Sequence, residues 1–188
     1  MSEQHNDEVV QQRVAAWLDE VVVGMGLCPF ASQPRDRGTI RISVCHADKP
    51  EEILETLYVE CTYLLDHPPE KVETTLLVLT KQFADFYDFN DFLGLAEGLI
   101  ERCGWEGVFQ IASFHPGYCF ADVAEGDPGN YTNRAPLPIL HILREDSVAA
   151  AVDSFDDVDE IPERNIGRLR GLTAEELRDR FPWVLSQD

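Results

Sequence analysis

Apolar residues recur at helical spacing in three long stretches of the chain. The first runs from about Asp7 to Val23 and predicts an amphipathic helix. The second ends near His67, where two prolines follow, and Asp48 with Glu51 predicts a capping box at its start. These two helices flank a short segment of alternating polarity, which is typical of a β-strand.

The third long helix is predicted to begin at an Asp88 cap and to end with Gly104 at the C′ position. Three shorter helices are predicted near the end of the chain. Their start signals are Ser147, Pro162 and a capping box of Thr173 with Glu176.

Four short segments have the pattern of strands: Ile40–Val44, Thr74–Thr80, Val108–Phe114 and Ile139–Arg144. The second is continuously apolar, which predicts a central strand covered on both faces. Because helices and strands alternate, the predicted fold is α/β (or α+β), with a single-layer sheet of about four strands packed with helices. Its general architecture is expected to be ferredoxin-like or thioredoxin-like. With no repeat or linker, residues 1–188 are predicted to form a single domain.

The formal charge of −20 excludes some classes of partner. A negative field repels the phosphates of nucleic acids and anionic membranes, so neither is an expected partner. The chain has no apolar run long enough to span a bilayer and no signal-peptide pattern, and a cytoplasmic location is therefore expected. The five cysteines contain no Cys-x-x-Cys pair, which argues against a zinc ribbon or a thioredoxin-type dithiol.

The segment from Phe114 to Pro136 carries many hydrogen-bonding side chains on backbone that is broken by proline and glycine. Such loops aim functional groups in ways that helices and strands cannot. His115 follows a predicted strand, where ligands bind in open α/β sheets, and is a candidate acid/base or metal ligand. The alternative is a ring that only bonds the loop backbone. Arg134, beside Asn133, is the leading candidate for binding an anion.

Two further candidates lie outside this loop. Cys28 stands in the turn after the first helix, away from any apolar stripe, and is a candidate nucleophile or soft metal ligand. The alternative is a buried structural thiol, because the preceding helix C-terminus raises the pKa of a nearby thiol. His141 lies on the last predicted strand, either as a core residue with satisfied hydrogen bonds or as a partner of His115.

The chain carries several motifs in fixed order: GLCPFA at 26–31, FHPxYxFA at 114–121, NYTNRxP at 130–136, HxLREDSV at 141–148 and IPExN at 161–165. Together they resemble the uncharacterised bacterial family catalogued as domain of unknown function 1415. The resemblance spans about Val14 to Leu172 and carries no reaction with it. It implies that Cys28, His115, Asn133 and Arg134 are favoured as functional residues over the other four cysteines.

These residues lead us to expect an enzyme that acts on a small anionic metabolite, in a site formed by the loop after the third strand and the turn after the first helix. The candidate catalytic residues are His115, Cys28 and Tyr118, and the candidate substrate-binding residues are Asn133, Arg134 and Arg144. Two alternatives stay open, so the assignment as an enzyme is not fixed. One is a metal- or cofactor-binding protein that uses Cys28, His115 and His141, and the other is a non-catalytic protein-interaction domain. No particular cofactor is predicted.

Overall fold

The computed structural model describes residues 3–155 and 157–184. Its helices are α1 Glu3–Trp17, α2 Ser32–Arg37, α3 Pro50–Asp66, α4 Phe86–Arg102, α5 Glu145–Asp153, α6 Ile161–Arg170 and α7 Ala174–Arg180. Its strands are β1 Ile40–Cys45, β2 Thr74–Leu79, β3 Phe109–Phe114 and β4 Ile139–Arg144. A π-helical segment, Leu18–Val23, continues α1, and short 3₁₀ turns occupy Pro128–Asn133 and Val158–Glu160. Within the described ranges, no helix is both long and apolar enough to cross a bilayer.

The four strands form one mixed sheet in the order β1-β2-β4-β3. The β1 and β2 strands are parallel, and β4 runs antiparallel to both β2 and β3. The predicted α/β class, with about four strands packed with helices, is confirmed. The segment after β3 returns to the sheet as β4, which lies directly beside β3 and places Ala112 opposite His141.

Separate apolar cores cover the two faces of the sheet. On one face, α3 and α4 pack against alternate residues of β2 and β4, including Leu77, Leu140 and Ile142. On the other face, α1, the π-helical segment and α6 pack against Leu76 and Ile139. All residues of β2 are buried, as the continuous apolar run predicts. This division of the sheet decides which candidate side chains can meet.

Three predicted helix starts are wrong. Helix α4 begins three residues early, because the Asp85 carboxylate, and not that of Asp88, accepts the free backbone N–H groups of the first turn. Helix α3 has Lys49 at its N-cap, with no capping bond from Asp48. Helix α5 follows β4 without a break, so Ser147 lies inside its first turn.

The predicted end of the third long helix and the last capping box are confirmed. Gly104 has a φ of 70°, in the left-handed region that favours glycine, directly after α4. Gly171 is the C-cap of α6. The Thr173 hydroxyl accepts from the Glu176 backbone N–H at 3.2 Å, and the Glu176 carboxylate accepts from the Thr173 N–H at 2.8 Å.

Candidate functional site

A cavity of about 350 Å³ lies between the sheet and the segments that cover the α1 face. We call it the inner cavity. Its lining is almost entirely apolar side chains from α1, the π-helical segment, the following turn, the sheet and α5, and includes Trp17, Leu18, Val22, Cys28, Phe30, Leu76, Ala112, Phe114, His141, Leu143, Val148 and Ala151. The polar residues Glu73, Thr74, Gln110, Arg144 and Ser147 complete its wall. Its size and apolar character are those of small-molecule sites.

The π-helical segment forms part of this wall. Its wider turn is closed by a bond from the Gly24 N–H to the Asp19 carbonyl at 2.9 Å, five residues back. A Cβ at Gly24 would lie 2.6 Å from the Glu20 carbonyl oxygen, so the tight exit from this turn requires glycine. Leu18 and Val22 both reach the cavity from this segment. Such local π turns are frequent at functional sites.

His141 presents a free nitrogen in this apolar setting. Its Nε2 atom lies 2.7 Å from the Thr74 hydroxyl, which itself donates to the Ile142 carbonyl at 2.6 Å. The hydroxyl therefore accepts from Nε2–H, and Nδ1 is the unprotonated nitrogen. In the described part of the chain Nδ1 has no hydrogen-bond partner. Burial lowers the pKa of His141 to about 4, so the ring is neutral at pH 7.

Cys28 lines the same cavity. Burial raises the pKa of its thiol, and the nearby backbone N–H groups of Phe30 and Ala31 offset part of this rise. The group is therefore a neutral thiol at pH 7. Burial, and not the preceding helix C-terminus, is the main cause of the raised pKa.

His115 lies on the opposite side of the sheet, against α4. Its ring is 1% exposed and stacks on Phe89 with the ring centroids 5.3 Å apart. Nε2 donates to the Phe83 carbonyl at 2.8 Å, and Nδ1 accepts from the Gly117 N–H at 2.9 Å. Burial is the main cause of its lowered pKa. Both nitrogens are therefore engaged by backbone, which is the alternative that the sequence left open for this residue.

A second, shallower pocket of about 290 Å³ lies beside His115. We call it the loop pocket, and its wall includes Asp85, Phe86, Tyr87, His115, Gly117, Glu125 and Arg134. The Arg134 guanidinium donates from Nε to the Tyr118 carbonyl at 3.2 Å and from Nη2 to the Glu125 carbonyl at 2.9 Å. It also stacks on the Tyr131 ring at 4.4 Å. His115 and Arg134 thus share one pocket, as the sequence-based hypothesis requires.

The other candidate side chains hold the structure together. The Tyr118 ring packs between Phe86 and Phe120. The Asn133 amide donates to the Ser113 carbonyl at 3.3 Å, which ties the loop back to β3. Arg144 donates from Nη2 to the His67 and Val72 carbonyls at 2.6 and 3.1 Å. Arg144 therefore satisfies backbone groups at the end of α3, while its residue also lines the inner cavity and its Nε atom is buried with no hydrogen-bond partner among the described residues.

The structure separates the predicted site into two parts. Cys28 and His141 line the inner cavity, while His115 and Arg134 line the loop pocket, and the two cavities share no lining residue. The proposed metal set of Cys28 with both histidines is not assembled. Across the described ranges, no three His, Cys, Asp or Glu side chains are grouped to hold a metal ion.

The sequence-based reasoning missed two residues of the inner cavity. The Thr74 hydroxyl fixes the tautomer of His141. In the sequence, however, a threonine at the start of an apolar strand predicts only β-structure, which this residue type favours. Trp17 lines the cavity and its indole N–H donates to the Arg134 carbonyl at 3.1 Å. For Thr74, the available signal was a threonine that faces inward on a buried strand. The contact of Trp17 spans 117 residues and has no local signal.

A family model described as "Protein of unknown function (DUF1415)" matches residues 9–179. No curated protein and no solved structure matches the chain. The match covers nearly the whole chain and includes the residues of both cavities that come from α1, the sheet and the loop after β3.

Proposed function

Because the chain belongs to the DUF1415 family, whose description assigns no activity, we propose from the geometry that it binds a small, largely apolar and uncharged molecule in the inner cavity. The ligand carries one hydrogen-bond donor, such as an N–H or a hydroxyl, that faces Nδ1 of His141. The single observation that carries this proposal is a neutral histidine whose acceptor nitrogen lacks a partner in an apolar cavity of ligand size.

The chemistry of the wall supports an uncharged ligand. The two charged residues of the wall, Glu73 and Arg144, have opposite signs, and elsewhere a charged group would have to leave water for a largely apolar space, which costs several kcal/mol. The His141 imidazole and the Cys28 thiol are both uncharged at pH 7. The Nδ1 acceptor of His141 has no partner within the described residues, and a donor on the ligand supplies one.

Indole and 1-methylindole test the proposal, because 1-methylindole has a methyl group in place of the N–H donor. We expect isothermal titration calorimetry to show saturable binding of both, with indole about three- to tenfold tighter, as one hydrogen bond contributes about 0.5–1.5 kcal/mol. The His141→Gln variant keeps a donor near the Nε2 position for Thr74 and removes the Nδ1 acceptor. We expect this variant to lose the preference for indole.

Cavity-filling variants on α5 provide a matched control. Ala151 lines the cavity, whereas Ala150 is exposed on the same helix. Ala151→Phe is expected to abolish binding of both indoles, and Ala150→Phe to leave it unchanged. No binding to the wild-type protein, or equal effects of the two phenylalanines, would refute a ligand site in this cavity.

A second candidate function is catalysis by Cys28 in the same cavity. It is favoured by one observation, that a thiol and an unprotonated imidazole nitrogen line the same cavity. If His141 takes the proton of the thiol as it reacts, iodoacetamide should alkylate Cys28 more slowly in His141→Gln than in the wild type, with Cys103 as the internal reference. Equal alkylation rates of Cys28 in the two proteins would indicate that the thiol has only a structural role.

A further inference from the structure

We propose that the loop pocket is a second binding site, for a small zwitterion that carries both a carboxylate and an ammonium group, as an α-amino acid does. It shares no lining residue with the inner cavity. The proposal rests on the distribution of charge in this pocket, where one buried cation lies beneath a rim that carries two acids.

The buried cation is Arg134. Its side chain belongs to a residue that is only 8% exposed, and both of its bonds to the loop go to neutral carbonyl oxygens. Among the ion pairs of the described residues, none includes Arg134. A guanidinium removed from water without a carboxylate partner is costly, and a bound carboxylate neutralises it through short, charge-assisted bonds.

The acids of the rim are Asp85 and Glu125, and both residues are exposed. One carboxylate oxygen of Asp85 caps α4, and the other has no hydrogen bond within the described part of the chain. The Glu125 carboxylate forms no ion pair with Arg134, although the backbone carbonyl of the same residue accepts from the guanidinium. The rim can therefore receive an ammonium group while the base of the pocket receives a carboxylate.

This polarity argues against a simple anion. Two carboxylates at the entrance and a protein charge of −20 repel a ligand that carries only negative charge. A zwitterion has no net charge to repel, and it pairs with both parts of the pocket. His115 is a positioning residue here, because its two backbone bonds join the loop before α4 to the loop after β3 and so connect the two sides of the pocket.

Three compounds with the same ring separate the two charges: L-phenylalanine, 3-phenylpropanoate and 2-phenylethylamine. We expect titration calorimetry at pH 7 to show L-phenylalanine binding at least about tenfold more tightly than either single-charge compound, since each of those compounds lacks one of the two charge pairs. If 3-phenylpropanoate binds as tightly as L-phenylalanine, or if none of the three binds, the proposal is overturned.

Glu125→Gln tests the rim without removing the backbone carbonyl that holds Arg134. We expect it to weaken L-phenylalanine about tenfold and to leave 3-phenylpropanoate unchanged or slightly tighter. Glu106→Gln makes the same change in net charge outside this pocket and should alter neither. Arg134→Lys removes the planar guanidinium, and circular dichroism will show whether the loop stays folded. An effect of Glu106→Gln equal to that of Glu125→Gln would overturn the proposed rim.

Discussion

Protonation of His141 should destabilise the folded protein, and the size of the effect follows from its environment. Burial lowers the pKa of His141 from 6.5 to about 4 in the folded state, while the unfolded chain keeps the ordinary value. Between these two values the unfolded state binds more protons, so the free energy of unfolding falls as the pH falls from about 6.5 to about 4. At 1.36 kcal/mol per pKa unit, the full loss is about 3 kcal/mol.

The measurement is urea unfolding of the wild type and of His141→Gln at pH 7.5, 6.5, 5.5 and 4.5, followed by tryptophan fluorescence. The 35 Asp and Glu residues also titrate in this range, and His115 contributes in the same direction. The informative quantity is therefore the difference in the free energy of unfolding between the two proteins. Relative to His141→Gln, the wild type should lose about 2–3 kcal/mol between pH 7.5 and pH 4.5.

A direct test is the NMR titration of the His141 ring proton on Cε1. We expect a midpoint near 4, well below the value of 6.5 for a solvated imidazole. A midpoint between 6 and 7, or parallel pH profiles of the two proteins, would show that the ring is hydrated in the folded state. Either result would refute the neutral, buried acceptor on which the proposed ligand site depends.

Three further substitutions or modifications test the fold. Asp85→Ala should lower the free energy of unfolding by about 1 kcal/mol through loss of the α4 cap, whereas Asp88→Ala should change it little; chemical denaturation compares the two. Arg41→Met leaves the Glu60 carboxylate, in a residue only 4% exposed, without its bidentate partner, and should cost about 3 kcal/mol by the same assay. Cys61 is fully buried and its pKa is raised to about 12, so mass spectrometry should find it unmodified by iodoacetamide until urea unfolds the protein. These assignments would be contradicted by equal losses of unfolding free energy for the two aspartate variants, by no loss for Arg41→Met, or by rapid alkylation of Cys61 in the native protein.

The strands were predicted almost to the residue because their signal is local. Alternation or continuous burial over six residues fixes a strand wherever it lies, as at Ile139–Arg144. Helix starts were predicted less well, since this acidic chain offers several capping residues close together. At α4, Asp85 and Asp88 have equal intrinsic ability to cap, and the packing of Phe86 and Phe89 into the core selects the first.

The candidate site could be predicted only in part, because its hydrogen bonds join distant segments. The sequence drew attention to His115 and Arg134, and they do share a pocket. It did not show that the His115 ring bonds a carbonyl 32 residues away, or that Arg144 reaches carbonyl groups more than 70 residues away. The partners that determine what a polar side chain is free to do lie outside any local pattern.

The polar residues of the loop after β3 have a structural reason to be there. A long irregular connection buries backbone groups that no helix or sheet satisfies, and each such group requires a partner. The fully buried Asn130 accepts from the Phe120 N–H and donates to the Ala124 carbonyl, and Arg134 supplies donors to two more carbonyls. A dense set of polar side chains on a loop therefore does not by itself indicate chemistry. Groups left without an equivalent partner are more informative: the Nδ1 atom of His141 and the buried Nε of Arg144, whose residues line the inner cavity, and the charge of Arg134 in the loop pocket, which neutral carbonyls solvate but do not neutralise. The two cavities differ in these groups, which is why the two sites are expected to take ligands of different kinds.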